Sequence, residues 1–134
     1  MTESFEVFTF IPGVSAERVY RAWMDSKEHG DFTGGAAEID PRVGGRFTAW
    51  DGYIQGTTLA LEPHRRIIQT WRTTEFPPGS PESRLEVVLE DEGGGARVTL
   101  IHSDIPEGQG ESYRQGWDES YFRPMQAYFA EILT

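Results

Sequence analysis

Apolar residues in the last quarter of the chain recur at helical spacing. Tyr113, Trp117, Tyr121, Met125 and Phe129 stand four residues apart, with Tyr128 and Ile132 one turn-step away. Side chains so spaced share one helix face, so residues 109–133 are predicted as one long helix carrying a broad aromatic stripe. Upstream, from about residue 36, the period falls to two. Leu85, Val87 and Leu89 alternate with Glu86 and Glu90, while Val98, Leu100 and His102 alternate with Arg97, Thr99 and Ile101. Such alternation sends one set to a buried face and the other to water.

The remaining elements follow from local signals. Strands are predicted over 5–11, 37–39, 46–50, 53–62, 66–73, 84–91 and 96–103. Pro12-Gly13 ends the first, Asp51-Gly52 reads as a two-residue hairpin turn, and 74–83 and 103–108 read as loops. Ser15 is placed as a helix N-cap, with Val14 and Val19 as a hydrophobic staple and Val19, Ala22 and Trp23 as the buried face. Asp25 and Glu28 have capping-box spacing for a second short helix ending at Gly30. A strand, two short helices, antiparallel strands and a long helix make an α+β fold. In it the C-terminal helix is the cover available to the Leu85/Val87/Leu89 face. Residues 1–134 are expected to form one domain, able to bury roughly 70% of its unfolded surface.

Charge and composition narrow the partners. The chain carries 22 acidic against 12 basic residues, a net charge of -10, which disfavours nucleic acid and anionic membranes. Cysteine is absent, so no disulfide or thiolate metal site is available. The first residues show no basic and apolar leader pattern, and no run approaches 18 apolar residues. A soluble, cytoplasmic protein is expected. Eleven of the twelve basic residues are Arg and Asn does not occur, the codon signature of a GC-rich bacterial genome.

Candidate chemistry is sparse. There is no Gly-x-Ser-x-Gly elbow, and Gly44-Gly45 and Gly93-Gly94-Gly95 lack the Lys-Ser/Thr of a phosphate loop. His29, His64 and His102 fall in different elements without metal-ligand spacing, so neither metal nor cofactor is expected. His102 falls on the interior strand face. It is either satisfied there by a backbone group or serves as a polar point in a cavity. Pro124 sits inside the predicted helix, where it removes a hydrogen bond to the Ser120 carbonyl. It either bends the helix round the sheet or widens the space beneath. Trp23, Phe32, Phe47, Trp50, Tyr53, Trp71, Trp117, Tyr121 and Tyr128 fill a core or wall a mostly apolar cleft.

Several short motifs occur in a telling order. They are the helix opening Val14-Ser15-Ala16-Glu17-Arg18-Val19-Tyr20-Arg21-Ala22-Trp23, then Val43-Gly44-Gly45-Arg46-Phe47, then Gly56 followed by Pro63, Ile67 and Trp71. Val98-Thr99-Leu100-Ile101-His102-Ser103 and Gly116-Trp117 with Tyr128-Phe129 complete the series. In this order the chain resembles the START-like, helix-grip superfamily (SRPBCC). Within it, the chain is similar to the domain shared with the C-terminal part of the activator of heat shock protein 90 ATPase. The resemblance spans nearly the whole chain. It implies a curved antiparallel sheet of six to seven strands wrapped round a long C-terminal helix, two short helices after the first strand, and a hydrophobic cavity between sheet and helix. Members bind lipids, sterols, polyketides or other apolar molecules, and a minority are cyclases or hydrolases. No universal catalytic residue carries over.

These lines converge on a small apolar or amphipathic ligand. It would be held by Phe47, Tyr53, Trp71, Val87, Leu89, Leu100, His102, Trp117, Tyr121 and Met125 in a pocket of several hundred cubic ångströms. The alternative is an enzyme of the polyketide cyclase or hydrolase type, with His102 as acid/base and Tyr53 or Tyr121 assisting. A chaperone contact and a homodimer stay open as partners.

Overall fold

The computed structural model describes residues 1–132; Leu133, where the predicted helix ends, lies outside the described residues. Seven strands form one antiparallel sheet in the order β1-β7-β6-β5-β4-β3-β2. They are β1 (Thr2–Pro12), β2 (Glu38–Ile39), β3 (Arg46–Ala49), β4 (Ile54–Glu62), β5 (Arg66–Thr73), β6 (Ser83–Glu92) and β7 (Gly95–Pro106). β2 to β7 run as a meander, and β1 closes the far edge by pairing with β7. The sheet wraps round the C-terminal helix in the expected α+β helix grip.

Alternation sets the interior face. In β5, β6 and β7 the buried residues are Ile67, Gln69, Trp71 and Thr73, then Ser83, Leu85, Val87 and Leu89, then Ala96, Val98, Leu100 and His102. The register places Trp71 opposite Ser83, Leu85 opposite His102 and Val87 opposite Leu100. Close approach decides one position here. A Cβ on Gly56 would stand 1.9 Å from the Thr70 carbonyl and 2.7 Å from the Phe47 ring, so only glycine fits beside them.

The short helices are α1 (Ala16–Met24) and α2 (Ser26–Thr33). Ser15 caps α1 by accepting the Arg18 N–H at 3.1 Å, and Asp91 from β6 accepts the Ala16 N–H at 2.8 Å. Asp25 caps α2 through the Glu28 N–H at 2.9 Å. The reciprocal half of the predicted capping box does not form. Glu28 turns away to pair with Arg18 at 2.6 Å and to accept the Tyr128 hydroxyl at 2.6 Å. α2 also runs past Gly30, because the left-handed residue that ends it is Gly34, at φ 89°; a C′ glycine of this kind closes a helix.

Two strand ends differ from expectation for one reason. β1 begins at Thr2 and β7 continues to Pro106 because these residues pair with each other. Residues 103–106 are therefore strand and not loop. The extension carries Glu3 to the start of the C-terminal helix, where its carboxylate accepts the N–H groups of Gly108 at 2.9 Å and Gly110 at 2.7 Å. Those donors would otherwise be orphaned at a helix N-terminus.

The C-terminal helix is built in three parts: α3 (Gly110–Trp117), a π-helical turn (Asp118–Phe122) and α4 (Arg123–Ile132). In the wide turn the Arg123 N–H reaches five residues back to the Asp118 carbonyl. Pro124 thereby falls in the first turn of α4, where a missing N–H is tolerated. One extra residue in the turn, of the kind often found at functional sites, absorbs the proline.

Candidate functional site

The aromatic stripe of the helix meets the sheet through a buried chain of hydrogen bonds. Trp117 Nε1–H donates to His102 Nδ1 at 3.1 Å, and His102 Nε2 lies 2.9 Å from the Ser83 hydroxyl. That hydroxyl donates to the Trp71 carbonyl at 2.6 Å, so the His102 proton sits on Nε2 and is donated to Ser83 Oγ. Both ring nitrogens are occupied. His102 is fully buried, and burial pushes its pKa down to about 3. A second buried histidine acts alike: His29 donates from Nδ1 to the Trp23 carbonyl at 2.8 Å and accepts the Tyr121 hydroxyl at Nε2, 2.9 Å away. Burial lowers its pKa to about 4, against the opposing pull of the Trp23 carbonyl. Each imidazole is neutral at pH 7 and holds one aromatic residue of the helix.

Beside these clamps the packing opens into a cavity of about 350 Å³. Trp50, Tyr53, Ile54 and Trp71 line it from the sheet. Tyr113, Trp117 and Tyr121 line it from the helix, together with Ser112, Gly116 and Ser120. The three small residues recur every four positions beside the aromatic stripe, and the last belongs to the π-helical turn.

The sheet-side wall depends on an unusual turn. β3 and β4 are joined by the four residues 50–53, because Ala49 pairs with Ile54; the predicted Asp51-Gly52 turn forms at their centre, closed by the Tyr53 N–H on the Trp50 carbonyl at 3.1 Å, with Gly52 at φ 90°. Trp50 and Asp51 adopt left-handed backbone, at φ 51° and 59°, which is uncommon for a bulky residue. Asp51 pins the turn by exchanging hydrogen bonds with Ala36, each at 3.0 Å. Trp50 Nε1 is shielded from solvent and has no hydrogen-bond partner among the described residues. Such orphaned donors are rare in folded proteins.

The tyrosine hydroxyls at the rim are engaged. Tyr53 donates to the Glu75 carboxylate, and burial, reinforced by that carboxylate, pushes its pKa up to about 12. Tyr113 donates to Gln109 Oε1 at 2.6 Å and lies 2.7 Å from the Thr73 hydroxyl. Among the described residues no three His, Cys, Asp or Glu side chains converge as metal ligands would.

Of the residues expected to hold a ligand, Tyr53, Trp71, Trp117 and Tyr121 meet at this cavity. Phe47, Val87, Leu89, Leu100, His102 and Met125 do not line it, although all six are buried. Facing inward and bordering empty space are different properties, and only complementary packing separates them. Trp50, Ile54, Ser112, Tyr113, Gly116 and Ser120 were not on that list. The four-residue spacing of Ser112, Gly116 and Ser120 is the sequence signal that could have marked the open side of the helix.

A sheet gripping one helix over an aromatic cavity defines a helix-grip protein. The family described as "Activator of Hsp90 ATPase homolog 1-like protein" matches residues 13–130, and the chain belongs to it. Curated relatives include "Activator of 90 kDa heat shock protein ATPase homolog 1" of Homo sapiens, 28% identical over 86% of this chain and 34% of that protein. A Dictyostelium discoideum homolog is 30% identical over 64% of this chain and 22% of its own length. The chain thus spans about a third or less of the curated relatives it matches. Among solved structures, an HSP90 activator from Plasmodium falciparum superposes with TM-score 0.84 at 22% identity, covering 95% of this chain and 96% of that one. DynU16, from the dynemicin biosynthetic locus, superposes with TM-score 0.78 at 15% identity over 95% of this chain and 47% of its own. These two likenesses show the fold.

The clamps predict a pH dependence. A histidine held neutral in the fold gains its proton on unfolding, below its ordinary value of 6.5. The contribution of His29 and His102 to stability is therefore complete above pH 6.5. It is lost as the pH falls toward about 4 for the first and about 3 for the second. The urea midpoint should drop steadily below pH 6.5, and NMR should show neither ring titrating above about pH 5. Either ring titrating near 6.5 would contradict the clamps.

Proposed function

We propose that this chain binds a small, largely apolar ligand in the cavity between β3–β5 and the C-terminal helix. The observation that carries the reading is a space of about 350 Å³ walled by six aromatic residues. Its size falls at the lower end of small-molecule pockets, which are mostly apolar with a few fixed polar groups. Ser112 and Ser120 supply such groups here. The enzymatic alternative draws no support from His102, whose nitrogens are both engaged and whose ring lies outside the wall.

Gly116 offers the test. It lines the cavity, and a Cβ there would meet nothing within 4 Å. Gly116→Phe should fill the space while the protein keeps its stability, since glycine inside a helix costs about 0.5–1 kcal/mol relative to residues with a side chain. Fluorescence titration with the neutral dye N-phenyl-1-naphthylamine should show saturable binding to the parent and none to the variant. Equal binding by a folded variant would remove the cavity as the site.

A chaperone contact is the second reading, supported by family membership and by the name of the human relative. Added to an Hsp90 ATPase assay, the chain should raise the rate of hydrolysis. An unchanged rate at saturating chain would count against a stand-alone activating role.

A further inference from the structure

We propose that the cavity selects an organic cation: a quaternary ammonium on a compact body. This rests on the cavity being a ligand site, and it follows from what the wall contains. Trp50, Tyr53, Trp71, Tyr113, Trp117 and Tyr121 contribute to it, and the face of an aromatic ring attracts a cation, most strongly for Trp. Neighbouring rings are turned against one another, by 79° between Trp71 and Tyr113, 43° between Trp71 and Trp117 and 60° between Trp117 and Tyr121. Rings so inclined do not make a flat stacking slot.

The charges point the same way. Among the described residues no Lys or Arg lines the cavity, so a carboxylate or phosphate entering it would find no counter-charge. The Tyr53 hydroxyl donates to the Glu75 carboxylate, which brings negative charge within one hydrogen bond of the wall and enriches that ring. The two buried histidines use their ring nitrogens on Trp117, Ser83, Tyr121 and the Trp23 carbonyl. The chain as a whole carries -10, which raises the local concentration of cations. A quaternary ammonium has no N–H to satisfy, so a wall poor in acceptors leaves it no unmade hydrogen bond, and the ring faces offset part of its desolvation.

Two probes of nearly the same shape separate charge from shape: 3-hydroxyphenyl-trimethylammonium and 3-tert-butylphenol. By calorimetry at pH 7 the cation should bind at least about tenfold tighter than its neutral counterpart. Glu75→Gln should weaken the cation several-fold and leave the phenol unchanged, and Gly116→Phe should abolish both. Equal or tighter binding of the phenol would overturn the cation inference while leaving the cavity a ligand site. Cation binding that survives Gly116→Phe would also overturn it, by moving the cation to the acidic surface. Loss of the dye binding described above would remove both readings together.

Discussion

The hydrogen bond from Trp117 to His102 is the contact on which the arrangement depends. It joins the helix to β7, and through Ser83 and the Trp71 carbonyl it reaches β6 and β5. All four residues are buried, so no member has water as a substitute partner. Removing one would leave its neighbour unsatisfied at a cost of about 1–3 kcal/mol. The chain of bonds also gives the helix a defined rotation and height over the sheet, which hydrophobic contact alone does not fix. His29 does the same for Tyr121 one turn later.

With the helix so fixed, its small residues decide where space is left. Ser112, Gly116 and Ser120 stand beside the aromatic stripe and face the Trp50 turn, while Met125 and Phe129 on the next turns are fully buried. The π-helical turn lies between these regions. Its extra residue lets Pro124 sit at the start of a fresh helix and widens the backbone at the position where Ser120 borders the cavity. A proline that would break a regular helix is thereby accommodated at the edge of the candidate site.

Much of this was legible in the sequence. Alternation in the last hairpin put Leu85, Val87, Val98, Leu100 and His102 on one interior face, and the four-residue repeat identified the helix face that meets them. The helix repeat picked out Trp117 and Tyr121, while Tyr53 and Trp71 were legible only as aromatic residues able to wall a cleft. The two patterns did not separate filled interior from open cavity, because Val87, Leu89, Leu100 and Met125 obey the same periodicity and differ only in how closely their neighbours pack. Long-range pairing was equally hidden: the extension of β7 to Pro106 depends on Thr2, more than a hundred residues away. The diversion of Glu28 from its capping role depends on Arg18 and Tyr128, and the left-handed Trp50 on Asp51 bonding to Ala36. Pro124 announced a disturbance in the helix, but a missing N–H can be met by a bend or by a wider turn, and the tertiary structure chose between them.

The four indole N–H groups of the chain provide the most direct test, read by ¹H–¹⁵N correlation NMR during titration with N-phenyl-1-naphthylamine. A saturable shift of the Trp50 indole, whose residue lines the cavity, is expected. No shift is expected of the Trp23 indole, which lies outside the wall, and the Trp117 indole N–H should stay protected from solvent exchange by His102. A Trp50 signal that does not move while the dye binds would contradict the assignment of the cavity, and rapid exchange at Trp117 would contradict the clamp that forms it.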